Sequence, residues 1–93
     1  MTFEWDPTKD VTNQRKHGVS FGRAQGAFLD RQRVIAVDRR HSTPGEMRYF
    51  CFGRVDGRVL TVRFTLRGEA IRIFGAGYWR EGRRRYDEEN AGT

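Results

Sequence analysis

The chain has one cysteine, Cys51, so no internal disulfide can form, which fits a reducing compartment. Long apolar runs are absent: nothing approaches the roughly 20 residues that span a bilayer, and no membrane association is expected. The opening Met-Thr-Phe-Glu-Trp-Asp has no basic stretch followed by an apolar one, so no secretory signal is expected and the predicted location is cytoplasmic. The two histidines, His17 and His41, stand far from each other and from Cys51, with no Cys-x-x-Cys or His-x-x-x-His spacing. No metal site and no cofactor is therefore expected. A Ser-His-Asp hydrolase would need a nucleophile-elbow sequence, and the common nucleotide-binding loops need Gly-x-Gly-x-x-Gly or Gly-x-x-x-x-Gly-Lys; none of these occurs.

Lysine is scarce too. Only Lys9 and Lys16 contribute to the 18 basic residues, the rest being arginine, and 12 acidic residues leave a net charge of +6. Arginine is favoured where phosphate is gripped by a planar bidentate donor. Nucleic acid is thus the first candidate partner, an acidic protein the next, and a plainly solvated basic surface the alternative to both. Aromatic residues make up 13% of the 93-residue chain, enough for one core and too many for a disordered polyelectrolyte. A single domain over residues 1–93 is expected.

Residues 3–6 alternate apolar and acidic and predict a short strand. Asp6 followed by Pro7 predicts a helix start, and Gly18 a left-handed stop after His17. Val11 is the only aliphatic residue in between, so one face of this helix must be wet or hold something charged. Ser20 predicts the cap of a second helix, over about 21–30, with Phe21, Ala24 and Phe28 as its apolar stripe. Beyond residue 33 the period becomes two. Strands are predicted over 34–37, 47–55, 58–66 and about 70–76, with a charged loop at 38–46 and a hairpin at Asp56-Gly57. A charged helix follows over about 79–89. The order predicts an α+β fold: a twisted antiparallel sheet of about five strands, two N-terminal helices on one face, and the C-terminal helix near an edge. Alternation sets Leu60, Val62, Phe64 and Leu66 against Val59, Thr61, Arg63 and Thr65, and places Arg63 and Arg72 together on one face.

Several stretches carry a resemblance: Phe3-Glu4-Trp5-Asp6-Pro7, Lys16-His17-Gly18-Val19-Ser20-Phe21, His41-Ser42, Gly45-Glu46, Arg48-Tyr49, Asp56-Gly57-Arg58, Ile71-Arg72-Ile73 and the basic tail before Tyr86. In this order and at this spacing the chain resembles the BrnT toxin family of type II toxin–antitoxin systems. The resemblance implies a RelE-like fold and a metal-independent ribonuclease that cleaves RNA, either free or on the ribosome, and so inhibits translation. It also implies neutralisation by a cognate antitoxin protein, with DNA bound only through the antitoxin complex. The commoner family pattern has an Arg just after Ala76; here that position is Gly77, and Arg80 is the candidate to supply the charge from nearby.

Attack of a ribose 2′-hydroxyl on its own phosphate needs a base, an acid for the departing 5′-oxygen, and cations for the charge that develops. By resemblance, His17 is the candidate proton-transfer residue, with Lys16 beside it as a cation; Arg63 and Arg72 are candidates for the scissile phosphate, with Arg80 as a third. Tyr78, Arg83, Arg84, Arg85 and Tyr86 are candidate nucleic-acid contacts. Each has a structural alternative: a helix cap for His17, a solvated face for the arginines, core for the tyrosines. His41 is read as tying its own loop. The alternative function is a non-catalytic nucleic-acid- or protein-binding module that acts as a co-repressor with the antitoxin.

Overall fold

The computed structural model describes residues 1–92; Thr93, the last residue of the expected domain, lies outside the described residues. The elements in chain order are β1 (Thr2–Glu4), α1 (Pro7–His17), α2 (Phe21–Ala24), a 3-10 segment (Gln25–Leu29), β2 (Val34–Val37), β3 (Arg48–Val55), β4 (Arg58–Arg67), β5 (Ala70–Gly77) and α3 (Arg80–Asn90). This is an α+β fold. Among the described residues no helix is long and apolar enough to cross a membrane.

The punctuation read from the sequence operates as expected. The Asp6 carboxylate accepts from the Thr8 N–H at 2.8 Å, Pro7 opens α1, and Gly18 closes it at φ 70°. Ser20 Oγ accepts from the Arg23 N–H at 3.1 Å and caps α2. The expected second helix is α-helical for only four residues and then tightens into the 3-10 segment. At the β3–β4 turn both Asp56 (φ 53°) and Gly57 (φ 79°) are left-handed, the conformation that matches the twist of a two-residue hairpin.

The five strands lie in the order β1-β5-β4-β3-β2. Three pairings are antiparallel, but β1 runs parallel to β5, so the sheet expected to be antiparallel is mixed. Two helices intervene between β1 and the rest of the sheet, so no hairpin constrains its direction. Between Arg63 and Phe64 the β4–β5 register skips Phe74, a bulge that brings Gly75 opposite Arg63 and leaves Phe74 and Gly75 on the same face as it.

Each face of the sheet carries its own apolar cluster. On the first, Cys51, Leu60, Val62, Phe64, Ile71 and Ile73 pack against Val19, Phe21, Ala24, Ala27 and Phe28 from α2 and its flanking segments. Burial pushes the Cys51 thiol up to about 12, which removes it as a nucleophile. On the second face, Phe52 and Val59 pack against Tyr86 of α3. The C-terminal helix expected near an edge therefore lies across β4 and β3, opposite the other helices. Gly82 makes this possible: a Cβ there would stand 1.9 Å from Thr61 Oγ1, so only glycine lets the helix backbone come so close.

α1 is held differently, because it has no apolar stripe. Its one buried residue is Asn13. The Asn13 Nδ2 donates to the Ala76 and Val19 carbonyls, both at 2.9 Å, and its Oδ1 accepts from the Ala76 N–H at 3.2 Å. The amide thus serves as a strand neighbour for the end of β5 that β1 is too short to reach.

Two predictions follow from these contacts. Asn13→Ala leaves three buried backbone groups unpaired and is expected to cost on the order of 3 kcal/mol in urea unfolding. The second concerns Asp30, which accepts from Tyr86 Oη at 2.7 Å, the Arg54 N–H at 2.8 Å and the Gln32 N–H at 2.9 Å. Burial raises the Asp30 carboxyl, but these bonds and the Arg54 charge outweigh it and hold it below its ordinary value. Its stabilisation is complete above the unfolded carboxyl's value and is lost as pH falls through the lowered one. The Tyr86 hydroxyl is raised, chiefly by burial and then by its bond to Asp30, so its contribution is complete below about pH 10 and is lost as pH rises through the raised value. Tyr86→Phe should cost about 2 kcal/mol at pH 7 and flatten both limbs of the stability–pH curve, read by thermal melts from pH 3 to 11.

Candidate functional site

The half of the second sheet face that α3 leaves open is a row of cations around one aromatic ring. Arg63 on β4 and Arg72 on β5 share this face, as alternation predicts. Phe74, two residues on from Arg72, joins them there, and the bulge sets Gly75 opposite Arg63. The Arg63 guanidinium lies 5.1 Å from the Phe74 ring centre, and Arg48, from β3, reaches the same ring at 4.5 Å. Their states differ. Arg72 donates to Glu4 Oε2 at 2.7 Å and Arg48 to Glu46 Oε1 at 2.8 Å, whereas Arg63 has no carboxylate partner among the described residues. Arg63 is half-buried, its stem lying over Gly75, where a Cβ would come within 3.3 Å of Arg63 Cδ. A guanidinium so braced, and free of a counter-ion, is preorganised for an oxyanion.

Further along β5 on the same face lies Trp79. Its indole covers Gly77, with ring carbons 2.5 Å from where a Cβ would stand. The His17 ring meets the Trp79 ring edge-on, 5.1 Å between centres, at the end of α1. His17 and Lys16 are both exposed. The Asn13 contacts place His17 here, because they lay the last turn of α1 along the free end of β5. Trp79 then leads into α3, whose first residue is the exposed Arg80.

Beyond Trp79 a cleft of about 550 Å³ opens between the β3–β4 hairpin and α3, with Arg54, Arg58, Arg80 and Arg83 in its walls and Asp87 as its one acid. The Arg83–Asp87 pair is loose, at 4.0 Å and largely exposed, so it offsets little charge. Tyr78 also lines the cleft, but its ring is covered by the Arg58 guanidinium at 4.1 Å and its hydroxyl donates to the Val55 carbonyl at 3.3 Å. One Tyr78 face is thus taken before any base arrives.

The remaining candidates divide by position on α3. Arg83 faces the cleft. Arg84 is engaged by Glu81 and Glu88 on its own helix; its bond to Glu81 holds that exposed carboxyl low. Arg85 lies over the Phe52 ring at 5.0 Å and completes the apolar cluster beneath α3. Tyr86 is 2% exposed with its hydroxyl on Asp30, so it is a core residue with no face for a base. The helical period explains the split, since consecutive residues point about 100° apart. His41 Nδ1 lies 2.8 Å from Asp38 Oδ2 and ties its own loop, as read from the sequence.

Sequence reasoning missed Arg48, Arg54 and Arg58. The first two were legible by extending to β3 the alternation applied to β4, since Arg48, Phe50, Phe52 and Arg54 share a parity. Arg58 carried no such signal; it joins the site only because the hairpin folds toward α3. Among the described residues no three His, Cys, Asp or Glu side chains stand together as a metal cage.

The Trp79 packing also gives a physical account of Gly77. Gly77→Arg must expel the indole and is expected to cost about 2 kcal/mol, and distinctly less in a Trp79→Ala background. Urea titrations of the two single variants and the double variant would measure that coupling.

No curated protein matches the chain in sequence. The family model for the ribonuclease toxin BrnT of type II toxin–antitoxin systems matches residues 5–82. That span takes in α1, the whole sheet from β2 to β5 and the first turn of α3, and with them His17, Arg48, Arg63, Arg72, Trp79 and Arg80. The chain belongs to the BrnT family of ribonuclease toxins.

Proposed function

We propose that this chain is a metal-independent endoribonuclease acting in the cytoplasm, a RelE-like toxin that stops translation by cutting RNA and is silenced by a cognate antitoxin. The observation that carries this reading is the Arg63 guanidinium: braced on Gly75 and Phe74, flanked by Arg48 and Arg72, and without a carboxylate partner among the described residues.

In the reaction the ribose 2′-oxygen attacks the adjacent phosphorus and the 5′-oxygen leaves, giving a 2′,3′-cyclic phosphate and a free 5′-hydroxyl. Arg63 holds the scissile phosphate and gains strength as negative charge builds on its oxygens. Arg72 and Arg48 stay with Glu4 and Glu46, so the phosphate falls to Arg63. His17 takes the 2′-hydroxyl proton and returns one to the leaving oxygen, a task suited to an imidazole, whose ring nitrogens can accept a proton and donate one. Lys16 and Arg80 flank it as cations. The cleft beyond Trp79 takes the neighbouring phosphates through Arg54, Arg58 and Arg83. The half-buried Trp79 offers its indole as a surface against which a base can stack.

The test is incubation of purified chain with RNA in excess EDTA, with product ends identified. Cleavage with 2′,3′-cyclic phosphate ends is expected. Arg63→Ala should lower the rate about 100- to 1,000-fold and His17→Ala about 100-fold or more, with stability changed by about 0.5 kcal/mol at most. Loss of folding in place of activity would make Arg63 a structural residue. The indole seated over Gly77, where the family pattern has Arg, favours a second reading: a non-catalytic module that binds RNA or the antitoxin and reaches DNA only in the antitoxin complex as a co-repressor. RNA bound but intact after long incubation would select it.

A further inference from the structure

The first sheet face is incompletely covered. The 3-10 segment packs on β3 and β4, and α1 and α2 pack on β5, which leaves the β2 corner bare. Register places Ile35 beside Cys51 and Val37 beside Tyr49, on the face that carries the main core. Unlike their core neighbours, Ile35 and Val37 are 49% and 39% exposed. Continuing the same alternation, Met47 and Leu66 adjoin them at 44% and 54%. So many large aliphatic side chains gathered at one corner of a small domain mark an interaction surface.

Two further features describe what fits there. β2 pairs only with β3, so its outer edge presents unpaired backbone donors and acceptors, a template for an added strand. The patch is also rimmed by exposed cations. Arg31 and Arg33 precede β2, Arg39 and Arg40 follow it, and Arg67 closes β4; none has a carboxylate partner among the described residues. Of the acids nearby, Asp38 is buried against His41, Glu46 is held by Arg48 and Glu88 by Arg84, while Glu89 of α3 stands beside Ile35, so the arginines outnumber the acids left to face a partner. A second copy of this chain would set one arginine rim against another, an unfavourable match for a molecule of net charge +6. RNA matches the rim but not the aliphatic centre.

We propose that the β2 edge and its apolar corner dock an acidic, amphipathic segment of the cognate antitoxin, which adds a strand beside β2, covers Ile35 and Val37 with its own apolar side chains, and sets carboxylates against Arg39 and Arg40. The identity of the partner rests on the toxin–antitoxin reading; the surface itself does not. It lies on the face opposite Arg63, so binding here anchors the antitoxin without touching the row of cations around Phe74.

The experiment uses the full chain co-expressed with its cognate antitoxin. Two variants are compared with the unaltered chain: Ile35→Lys with Val37→Lys, whose side chains are already half-exposed, and Arg39→Glu with Arg40→Glu. Complex stability is read by titration calorimetry at two salt concentrations, and growth is followed with and without the antitoxin. The lysine pair is expected to weaken the complex 100-fold or more. The glutamate pair should weaken it about tenfold and reduce its salt dependence. Both should leave growth arrest by the free toxin intact, so that the cells are poisoned despite the antitoxin. Unchanged affinity in both pairs overturns the proposal, as does a homodimer held together through this face. If the unaltered chain causes no growth arrest, the ribonuclease reading fails while the affinity measurements still decide the surface.

Discussion

The side-chain amide of Asn13 is the contact on which the arrangement of this molecule turns. β1 covers only Thr2–Glu4 and pairs with β5 up to Arg72, so the far half of β5 has no strand on that side. The amide fills part of the gap by meeting both the N–H and the C=O of Ala76, as a strand residue would. Buried backbone groups must be satisfied, and a helix with no apolar stripe has few other ways to dock. The same amide accordingly closes the sheet edge, fixes α1 and delivers His17 to the side of Trp79.

From there the site is assembled by close approaches made at glycines. Gly77 admits the Trp79 indole, Gly75 lies beneath the Arg63 stem, and Gly82 lets α3 rest on Thr61. The bulge at Phe74 belongs to the same design: it places an aromatic ring and a glycine consecutively on one face, which strict alternation forbids. Two guanidiniums, of Arg48 and Arg63, lie at that ring and Arg72 shares its face; among the described residues Arg48 and Arg72 are paired with carboxylates and Arg63 is not. The unpaired one is the position where an incoming phosphate has most to gain, because no existing ion pair has to be broken.

The two faces of the sheet divide the work. The second carries charge, aromatic surface and the cleft beside α3; the first carries the main core and, at its uncovered β2 corner, an apolar patch ringed by arginine. A small domain with five strands and little helix cannot cover both faces completely. In this molecule the uncovered half of one face holds the unpaired Arg63 and the Phe74 ring, and the uncovered corner of the other leaves the outer edge of β2 without a neighbouring strand.

Local signals were enough to locate the elements. Asp6-Pro7, Gly18, Ser20 and Asp56-Gly57 act through bonds and dihedrals within a few residues, so helix caps and the hairpin were legible from the sequence alone. Alternation along β4 and β5 likewise put Arg63 and Arg72 on one face. What lay beyond reach depends on partners distant in the chain. The parallel pairing of β1, the seat of α3 on β4 and β3, the docking of Asn13 on Ala76, the burial of Tyr86 on Asp30 and the entry of Arg58 into the cleft each join residues 20 or more positions apart. Periodicity tells which way a side chain points, but not what stands opposite it. Tertiary packing alone decided that, of three consecutive arginines at 83–85, one faces the cleft, one is held by its own helix and one covers the core.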